Sequence, residues 1–234
     1  MKIGGIQKVS LIDYPEKIAC VIFLNNCNFR CGFCHNPELI TEPLKEIISK
    51  KDVFDYLIER KKYLGGVCIT GGEPLITIDK DFLKEIKDLG YSIKIDTNGS
   101  FPEKLDELID EKLVDFVAMD IKSSKEKYEE TAGVEVDMDK IEKSVEIISS
   151  RRINYELRTT IIEGLHDKEE IKKMLEWICG LIGYKIKKFV MQGFKNNGKF
   201  VNPEFKNKKE ITREYLEELE KVAKDFAEEV EIRV

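Results

Sequence analysis

The feature of this 234-residue sequence that most restricts its fold is a regular alternation of short apolar segments with amphipathic segments. The apolar segments are rich in β-branched residues and short, which predicts strands. They occupy residues 19–24, 67–70, 92–96, 116–120, 155–162 and 188–192. Strands that alternate with helices predict an α/β fold with a parallel sheet and right-handed connections.

The segments between the strands show helical periodicity and begin at capping residues. Asp79 and Ser49 each precede a run with apolar residues on one helical face, as an N-cap does. Asp167 and Glu170 have the spacing of a capping box. A last helix is predicted over residues 212–226, whose apolar residues recur at core spacing.

Unusual residues lie at or near the carboxyl ends of the predicted strands, which favours a barrel with one functional face over an open doubly wound sheet. Because six β/α units are fewer than the eight of a closed barrel, we predict a partial, laterally open (β/α)6 TIM-like barrel. We expect one domain over residues 1–234, with residues 1–17 and 230–234 covering edges of the sheet. The unusual segments are Asn25-Asn26-Cys27, Gly71-Gly72-Glu73-Pro74, Asp96-Thr97-Asn98-Gly99, Asp120-Ile121-Lys122, Arg158 and Gln192-Gly193.

The composition excludes several classes of partner. The net charge of −6 offers no general attraction to nucleic acid or to anionic membranes. The apolar run at residues 18–24 is far shorter than the ~20 residues of a membrane helix, and it does not resemble a signal peptide. We therefore expect a cytoplasmic protein, in which cysteines serve more often as metal ligands or core residues than as disulfide partners.

Three cysteines, Cys27, Cys31 and Cys34, lie within eight residues of the loop after the first predicted strand. Haem attachment at residues 31–35 would leave Cys27 unused and belongs outside the cytosol. A zinc site with four protein ligands would require the consecutive residues Cys34 and His35 to coordinate the same ion, which is geometrically unfavourable. An iron–sulfur cluster suits closely spaced thiolates, and with three ligands its fourth iron stays open unless a distant cysteine fills it. The isolated Cys20, Cys68 and Cys179 are expected to be small core residues.

The CxxxCxxC motif, with Phe33 before its last cysteine and TGGEPL at residues 70–75, resembles the radical S-adenosylmethionine (SAM) enzymes. The finer resemblance is to glycyl-radical-enzyme activating proteins, closest to anaerobic ribonucleotide reductase activases and similar to pyruvate formate-lyase activase. It includes the segments SLIDYPEK, CNFRCGFCHNPEL, TGGEPL, DTNG, MDIK and LRTTIIEGLHD. Glu16 and Asn26 depart from the family pattern, where glycine is usual.

The resemblance implies a role for each matching residue. Cys27, Cys31 and Cys34 would ligate a [4Fe-4S] cluster whose open fourth iron binds SAM. Arg158 would bind cofactor on the side toward the substrate backbone, and Asp13 would bind substrate. The remaining SAM-binding residues implied are Phe33, Gly71, Gly72, Glu73 and Pro74, with Asp96, Thr97, Asp120 and Lys122 as a polar cluster about the methionine carboxylate. Relatives also hold a monovalent cation at this cluster.

The resemblance implies a partner protein as substrate. An activase would use a 5′-deoxyadenosyl radical to form a glycyl radical on a partner enzyme, with electrons from a low-potential donor such as flavodoxin or ferredoxin. One alternative is a radical SAM enzyme acting on a small molecule, similar to 7-carboxy-7-deazaguanine synthase. Another is a non-catalytic iron–sulfur electron carrier or a zinc-binding adaptor. His35 and His166 can each be explained as ordinary polar loop residues without a catalytic role.

Overall fold

A computed structural model describes residues 1–40 and 48–234. Within these residues, the strands follow one another in the sheet in the order of the sequence. The strands are β1 (Ile3–Ser10), β2 (Ala19–Leu24), β3 (Gly66–Gly71), β4 (Ser92–Thr97), β5 (Phe116–Asp120), β6 (Asn154–Ile161), β7 (Ile186–Gly193) and β8 (Ala227–Arg233). The helices are α1 (Pro37–Ile40), α2 (Lys50–Arg60), α3 (Lys80–Asp88), α4 (Pro102–Asp110), α5 (Tyr128–Ala132), α6 (Met138–Ser150), α7 (Lys168–Ile182) and α8 (Arg213–Ala223).

The sheet is mostly parallel and open, which confirms the predicted fold class. β2 pairs with β3, β3 with β4, β6 with β7 and β7 with β8 in parallel, whereas β1 pairs with β2 antiparallel. All six predicted strands are present, with ends that differ by at most two residues. The two segments expected to cover the edges contribute strands of their own, β1 and β8, at the two ends of the strand order.

The described chain divides into two compact units, and the prediction of a single domain stays a prediction. Unit 1 contains residues 1–28, 36–97 and 103–117, and unit 2 contains residues 29–35, 98–102 and 118–234. In the part of the chain that the structure describes, no helix combines the length and apolar character needed to cross a membrane.

Unit 1 is built on β2, β3 and β4, whose central residues are almost completely buried. Ser49 caps α2 in a reciprocal capping box with Asp52, and Asp79 caps α3 by accepting a hydrogen bond from the Asp81 backbone nitrogen. Both predicted helix starts are confirmed. The carboxyl ends of these parallel strands lie at one end of the sheet, because Leu24 is in register with Gly71.

Unit 2 is built on β6, β7 and β8 with α6, α7 and α8. Asp167 caps α7 through the Glu170 backbone nitrogen, 2.8 Å away. The predicted reciprocal bond of a capping box is wrong, because the Glu170 carboxylate instead accepts hydrogen bonds from the Ser123 hydroxyl and the Ser124 nitrogen. α8 ends at Ala223, three residues before the predicted end, since the chain soon turns into β8.

A buried ion pair joins two strands of unit 2. Glu156 of β6 is completely buried, and its two carboxylate oxygens accept hydrogen bonds from the Arg233 guanidinium of β8 at 3.1 and 2.9 Å. Arg233 also donates to Glu231 at 2.6 Å. This pairing attaches the last strand to the interior of unit 2.

Candidate active site

The three clustered cysteines lie on the loop that follows β2. Cys31 is buried, and Cys27 and Cys34 are partly exposed. No disulfide links cysteines in the described residues. In unit 1, the start of the loop is fixed by a hydrogen bond from the Asn26 nitrogen to the Leu39 carbonyl, 2.7 Å long. The boundary between the units passes through the loop, so Cys27 is counted with unit 1 and the other two with unit 2.

The Gly71-Gly72 pair packs directly on the first part of this loop. Gly71 has φ +116°, and a Cβ there would lie 2.5 Å from backbone atoms of Leu24. A Cβ on Gly72 would lie 1.9 Å from the Asn26 carbonyl oxygen and 3.3 Å from Cys27 Cβ. Only glycine fits such a close approach of two backbones. The glycine pair is thus required for the cysteine loop to pack against the end of β3, whether or not the glycines also contact a ligand.

Glu73 connects two of the predicted motifs within unit 1. Its side chain is completely buried, and Oε1 accepts hydrogen bonds from the Leu75 nitrogen at 3.0 Å and the Thr97 hydroxyl at 2.9 Å. Its backbone nitrogen donates to the Asn26 carbonyl at 2.7 Å. Pro74 follows as the first residue of a 3-10 turn. Glu73 therefore holds the β3 loop, the β4 end and the start of the cysteine loop together.

Asp96 is held by a lysine that the sequence analysis did not single out. The buried Lys94 ammonium donates to Asp96 Oδ1 and lies 3.8 Å from the Cys68 sulfur. Cys68, expected to be a plain core residue, has its sulfur 3.6 Å from the same Asp96 oxygen. A signal was present in the sequence: a lysine two positions before an aspartate, inside a strand of otherwise apolar residues, predicts two charges on one face.

In unit 2, Asp120 lies between two cations. Arg158 Nε donates to Asp120 Oδ1 at 2.7 Å, and Lys122 Nζ donates to Oδ2 at 3.2 Å. Burial alone would raise the pKa of Asp120, but the charges and hydrogen bonds of Arg158 and Lys122 hold it well below its usual range. Burial alone would lower the pKa of Lys122, but Asp120 raises it above the ordinary value. All three groups therefore stay charged at neutral pH.

The second half of the cysteine loop packs against aromatic residues of unit 2. Phe33 is 7% exposed, and its ring centroid is 6.1 Å from that of Phe205. Gly32 leaves room for the same ring, since a Cβ there would lie 2.7 Å from it. Burial raises the pKa of the Cys31 thiol, and the nearby Lys122 charge opposes this rise. Cys31 and the Lys122–Asp120 pair are therefore electrostatically coupled.

The two histidines are both accounted for by contacts within unit 2. His166 is completely buried; Nδ1 accepts from the Ile162 nitrogen at 3.1 Å, so Nε2 carries the proton and donates to the Lys122 carbonyl at 2.8 Å. Burial lowers the pKa of His166, which is therefore neutral. The His35 ring packs on Phe200 with centroids 4.8 Å apart, and burial lowers its pKa as well. His166 fixes the backbone that carries Lys122.

Asp13 lies at the end of β2 opposite to the cysteine loop. It follows β1, and its carboxylate accepts a hydrogen bond from the Ser10 hydroxyl, while Ser10 is in register with Ala19 at the start of β2. Cys27 comes after the other end of β2, on the order of 20 Å along the strand direction. Within unit 1 the structure therefore does not bring Asp13 to Cys27, and its substrate-binding role stays a prediction.

The residues fit an iron–sulfur cluster by the chemistry of their donors. Three thiols in eight residues, with no disulfide between them, are the soft ligands that such clusters require. Among the residues that the structure describes, no three His, Cys, Asp or Glu side chains are arranged to hold a single metal ion.

The sequence model of the radical SAM superfamily matches residues 21–178, which is more than half of the chain. The chain belongs to the radical SAM superfamily. Members of this superfamily use a [4Fe-4S] cluster and SAM, and these are the cofactors of this enzyme. The predicted family membership and cofactor class are confirmed.

Proteins similar to this chain include activating enzymes. The chain is 35% identical over 198 residues to a provisionally named glycyl-radical enzyme activating enzyme of Methanocaldococcus jannaschii, covering 80% of this chain and 79% of that protein. It is 33% identical over 134 residues to the pyruvate formate-lyase-activating enzyme of Listeria monocytogenes, covering 52% of this chain and 53% of that enzyme.

A solved structure shares the fold of this chain. Streptococcus suis SuiB bound to S-adenosylmethionine superimposes with a TM-score of 0.65 and 17% identity. The match covers 90% of this chain and 51% of SuiB, so this chain spans about half of the length of that protein.

Proposed function

We propose that this radical SAM enzyme generates a glycyl radical on a partner enzyme. The observation that carries the proposal is the 35% identity to a glycyl-radical enzyme activating relative over about four fifths of both chains. The matches to pyruvate formate-lyase-activating enzymes support the same class. The partner would be an anaerobic ribonucleotide reductase-like or pyruvate formate-lyase-like enzyme.

Cys27, Cys31 and Cys34 are the residues that would hold the cluster. When bound, the cluster would supply the one electron for cleavage of SAM into methionine and a 5′-deoxyadenosyl radical. That radical would take a hydrogen atom from a glycine Cα of the partner, giving 5′-deoxyadenosine and a glycyl radical. The Gly71-Gly72 pair keeps side chains away from the loop, and Phe33 supplies an apolar surface next to Cys34. Within each unit, these features would limit the access of water to the cysteine loop, as a reactive intermediate requires.

The polar residues at the strand ends would orient SAM. Arg158 and Lys122 are fixed in position by Asp120, so their donors cost little reorganisation when they meet an anionic carboxylate. In unit 1, Glu73 fixes the position of the Thr97 hydroxyl. Asp96 is the second residue of this unit that we propose to orient SAM. None of these residues has to act as a general base, because hydrogen-atom abstraction does not use one.

Such an activase also needs a second partner, which is an electron donor. Reduction would come from a low-potential protein such as flavodoxin or ferredoxin, and the cytoplasm is the compartment where such donors and reduced thiols coexist. Asp13, near the apolar and highly exposed Leu11 and Ile12, is proposed to bind the protein substrate.

Electron paramagnetic resonance tests this function directly. The reduced protein is mixed without oxygen with SAM and with the glycyl-radical enzymes encoded in the same genome. We expect a glycine-centred doublet with one of them, and a variant of that partner whose radical-site glycine is changed to alanine should give no doublet. SAM cleavage stimulated by a small metabolite, with no doublet from any partner, would contradict the proposal.

A further inference from the structure

Lys94 is a buried charged residue to which the proposed chemistry assigns no task. It lies in the middle of β4 and is only 1% exposed. Burying an ammonium group is costly unless a counter-ion and hydrogen bonds compensate for the lost hydration. A lysine kept at such a position therefore needs a partner close by, and that partner indicates its role.

The partner of Lys94 is Asp96, the carboxylate at the end of the same strand. Residues two apart on a strand point to the same face, so the Lys94 stem runs toward the carboxyl end of β4 and its ammonium donates to Asp96 Oδ1. Cys68 stands opposite Lys94 in the β3–β4 register. Its sulfur lies 3.8 Å from the ammonium and 3.6 Å from the carboxylate oxygen. Lysine, aspartate and thiol thus form one compact group inside unit 1.

This group leaves little electrostatic reason for a metal cation at Asp96. The Asp96 side chain is 11% exposed and the Lys94 side chain 2% exposed, so their charges are screened weakly by solvent. A second cation beside Asp96 would meet the Lys94 ammonium at short distance and be repelled by it. In unit 2, the other carboxylate of the predicted polar cluster, Asp120, likewise has two protein cations, Lys122 and Arg158. The residues therefore do not fit the monovalent cation implied by the family resemblance.

We propose that the Lys94 ammonium is the permanent counter-ion that positions Asp96, and that this enzyme binds SAM without a monovalent metal cation. The inference rests on the proposed function in one respect, because it takes Asp96 as part of the SAM site. Lys94 is a positioning residue: it acts on SAM through Asp96 and does not touch the reacting atoms.

The test measures SAM binding in the absence and presence of metal cations. The anaerobically reconstituted protein is titrated with SAM by calorimetry in buffer whose only monovalent cation is tetramethylammonium, and then with Na⁺ or K⁺ at the same ionic strength. We expect the wild-type dissociation constant to change by less than about twofold, as ionic strength is constant and no site needs filling. A wild-type affinity that rises about tenfold or more with Na⁺ or K⁺ would overturn the inference.

The variant Lys94→Met removes the charge while keeping an unbranched apolar side chain. We expect about tenfold weaker SAM binding in tetramethylammonium, since a charge-assisted hydrogen bond to Asp96 is lost, and recovery when Na⁺ or K⁺ takes its place. The melting temperature of the variant should also rise with Na⁺ or K⁺, while that of the wild type should not. Lys62→Met, at an exposed position of unit 1, is the matched control and should behave as the wild type.

The outcomes separate the two proposals. If the wild type binds and cleaves SAM only with Na⁺ or K⁺, the role of Lys94 is wrong and the proposed function stands. If Lys94→Met binds SAM as tightly as the wild type in tetramethylammonium, the role of Lys94 is also wrong. Should Lys94→Met fail to fold, the wild-type titration alone decides. A wild type that binds no SAM in any buffer removes both proposals.

Discussion

At the scale of single residues, buried charged side chains at the candidate site are each held in place by a partner of opposite charge. Asp120 is held ionised by Arg158 and Lys122, and Asp96 is held by Lys94. The predicted cysteines, glycines and acidic residues of the candidate site follow from sequence motifs, and the cysteines have the close spacing that suits a cluster. Lys94 does not follow from any motif. Its role depends on which side chains meet inside the sheet, and that requires the register of β3 against β4.

The buried His166 predicts a dependence of stability on pH. Burial places its folded-state pKa below the unfolded value of about 6.5, so the unfolded state binds more protons as the pH falls. The contribution of His166 to stability is therefore fully present above about pH 6.5 and is lost as the pH falls through that value toward the folded pKa. We expect the unfolding free energy to fall by up to about 1.4 kcal/mol per pH unit in this range from this residue.

Urea unfolding at pH 7.5, 6.5 and 5.5 tests this dependence, since these values bracket the ordinary histidine pKa of about 6.5. The variant His166→Gln should show a smaller loss between the two lower values than the wild type. His35, whose pKa is also lowered by burial, contributes equally to both proteins and cancels in the comparison. Equal pH slopes in the two proteins would show that His166 does not titrate on unfolding.

At the scale of elements, the sequence predicts where strands and helices begin more reliably than how loops fit together. Strong local signals, such as the Ser49 and Asp79 caps, are confirmed because capping is decided by neighbours in sequence. The prediction that the Glu170 side chain completes a capping box is wrong, because Ser123 and Ser124, distant in sequence, bind its carboxylate instead. The close approach of Gly72 to Asn26 also depends on two separate loops.

Gly72→Ala tests how tightly the glycine turn supports the cysteine loop. The new Cβ would lie 1.9 Å from the Asn26 carbonyl, so one of the two backbones has to move. We expect destabilisation by about 1–3 kcal/mol, as in overpacked interiors, together with a lower yield of bound cluster. Chemical unfolding and iron analysis measure the two effects.

Gly180→Ala is the matched control for Gly72→Ala. Gly180 lies in α7, and a Cβ there would have no neighbour within 4 Å. Alanine should stabilise this helix by about 0.5–1 kcal/mol and leave the cluster unchanged. A neutral effect of Gly72→Ala on both stability and iron content would contradict the packing described for the turn.

Glu156→Gln tests the ion pair between β6 and β8. The substitution removes the charge that pairs with Arg233 at a completely buried position. We expect a loss of about 3 kcal/mol, at the low end for a broken buried pair, because Arg233 keeps its bond to Glu231. Glu229→Gln breaks a pair whose acid is 60% exposed and should cost less than about 1 kcal/mol. Equal losses in thermal unfolding would refute the structural role of the pair.

At the scale of the whole molecule, the fold class and the chemistry could be predicted from the sequence because both rest on local patterns. Strand and helix periodicity gave the mostly parallel, open sheet, and CxxxCxxC with GGEP indicated the superfamily. The added strands β1 and β8 were anticipated only as edge coverings, since neither segment shows a clear strand period. The place of Asp13 could not be foreseen, because it depends on the antiparallel register of β1 with β2.

The formation of 5′-deoxyadenosine is the most direct test of the central claim, that three cysteines hold a cluster with an iron open to SAM. The reduced, reconstituted protein is incubated with SAM, and the nucleoside is measured by chromatography. We predict formation by the wild type and by Cys20→Ala, which removes a buried cysteine outside the loop, and none by Cys34→Ala. A wild type that carries a full cluster but forms no 5′-deoxyadenosine, or a Cys34→Ala variant that forms it at the wild-type rate, would contradict the account.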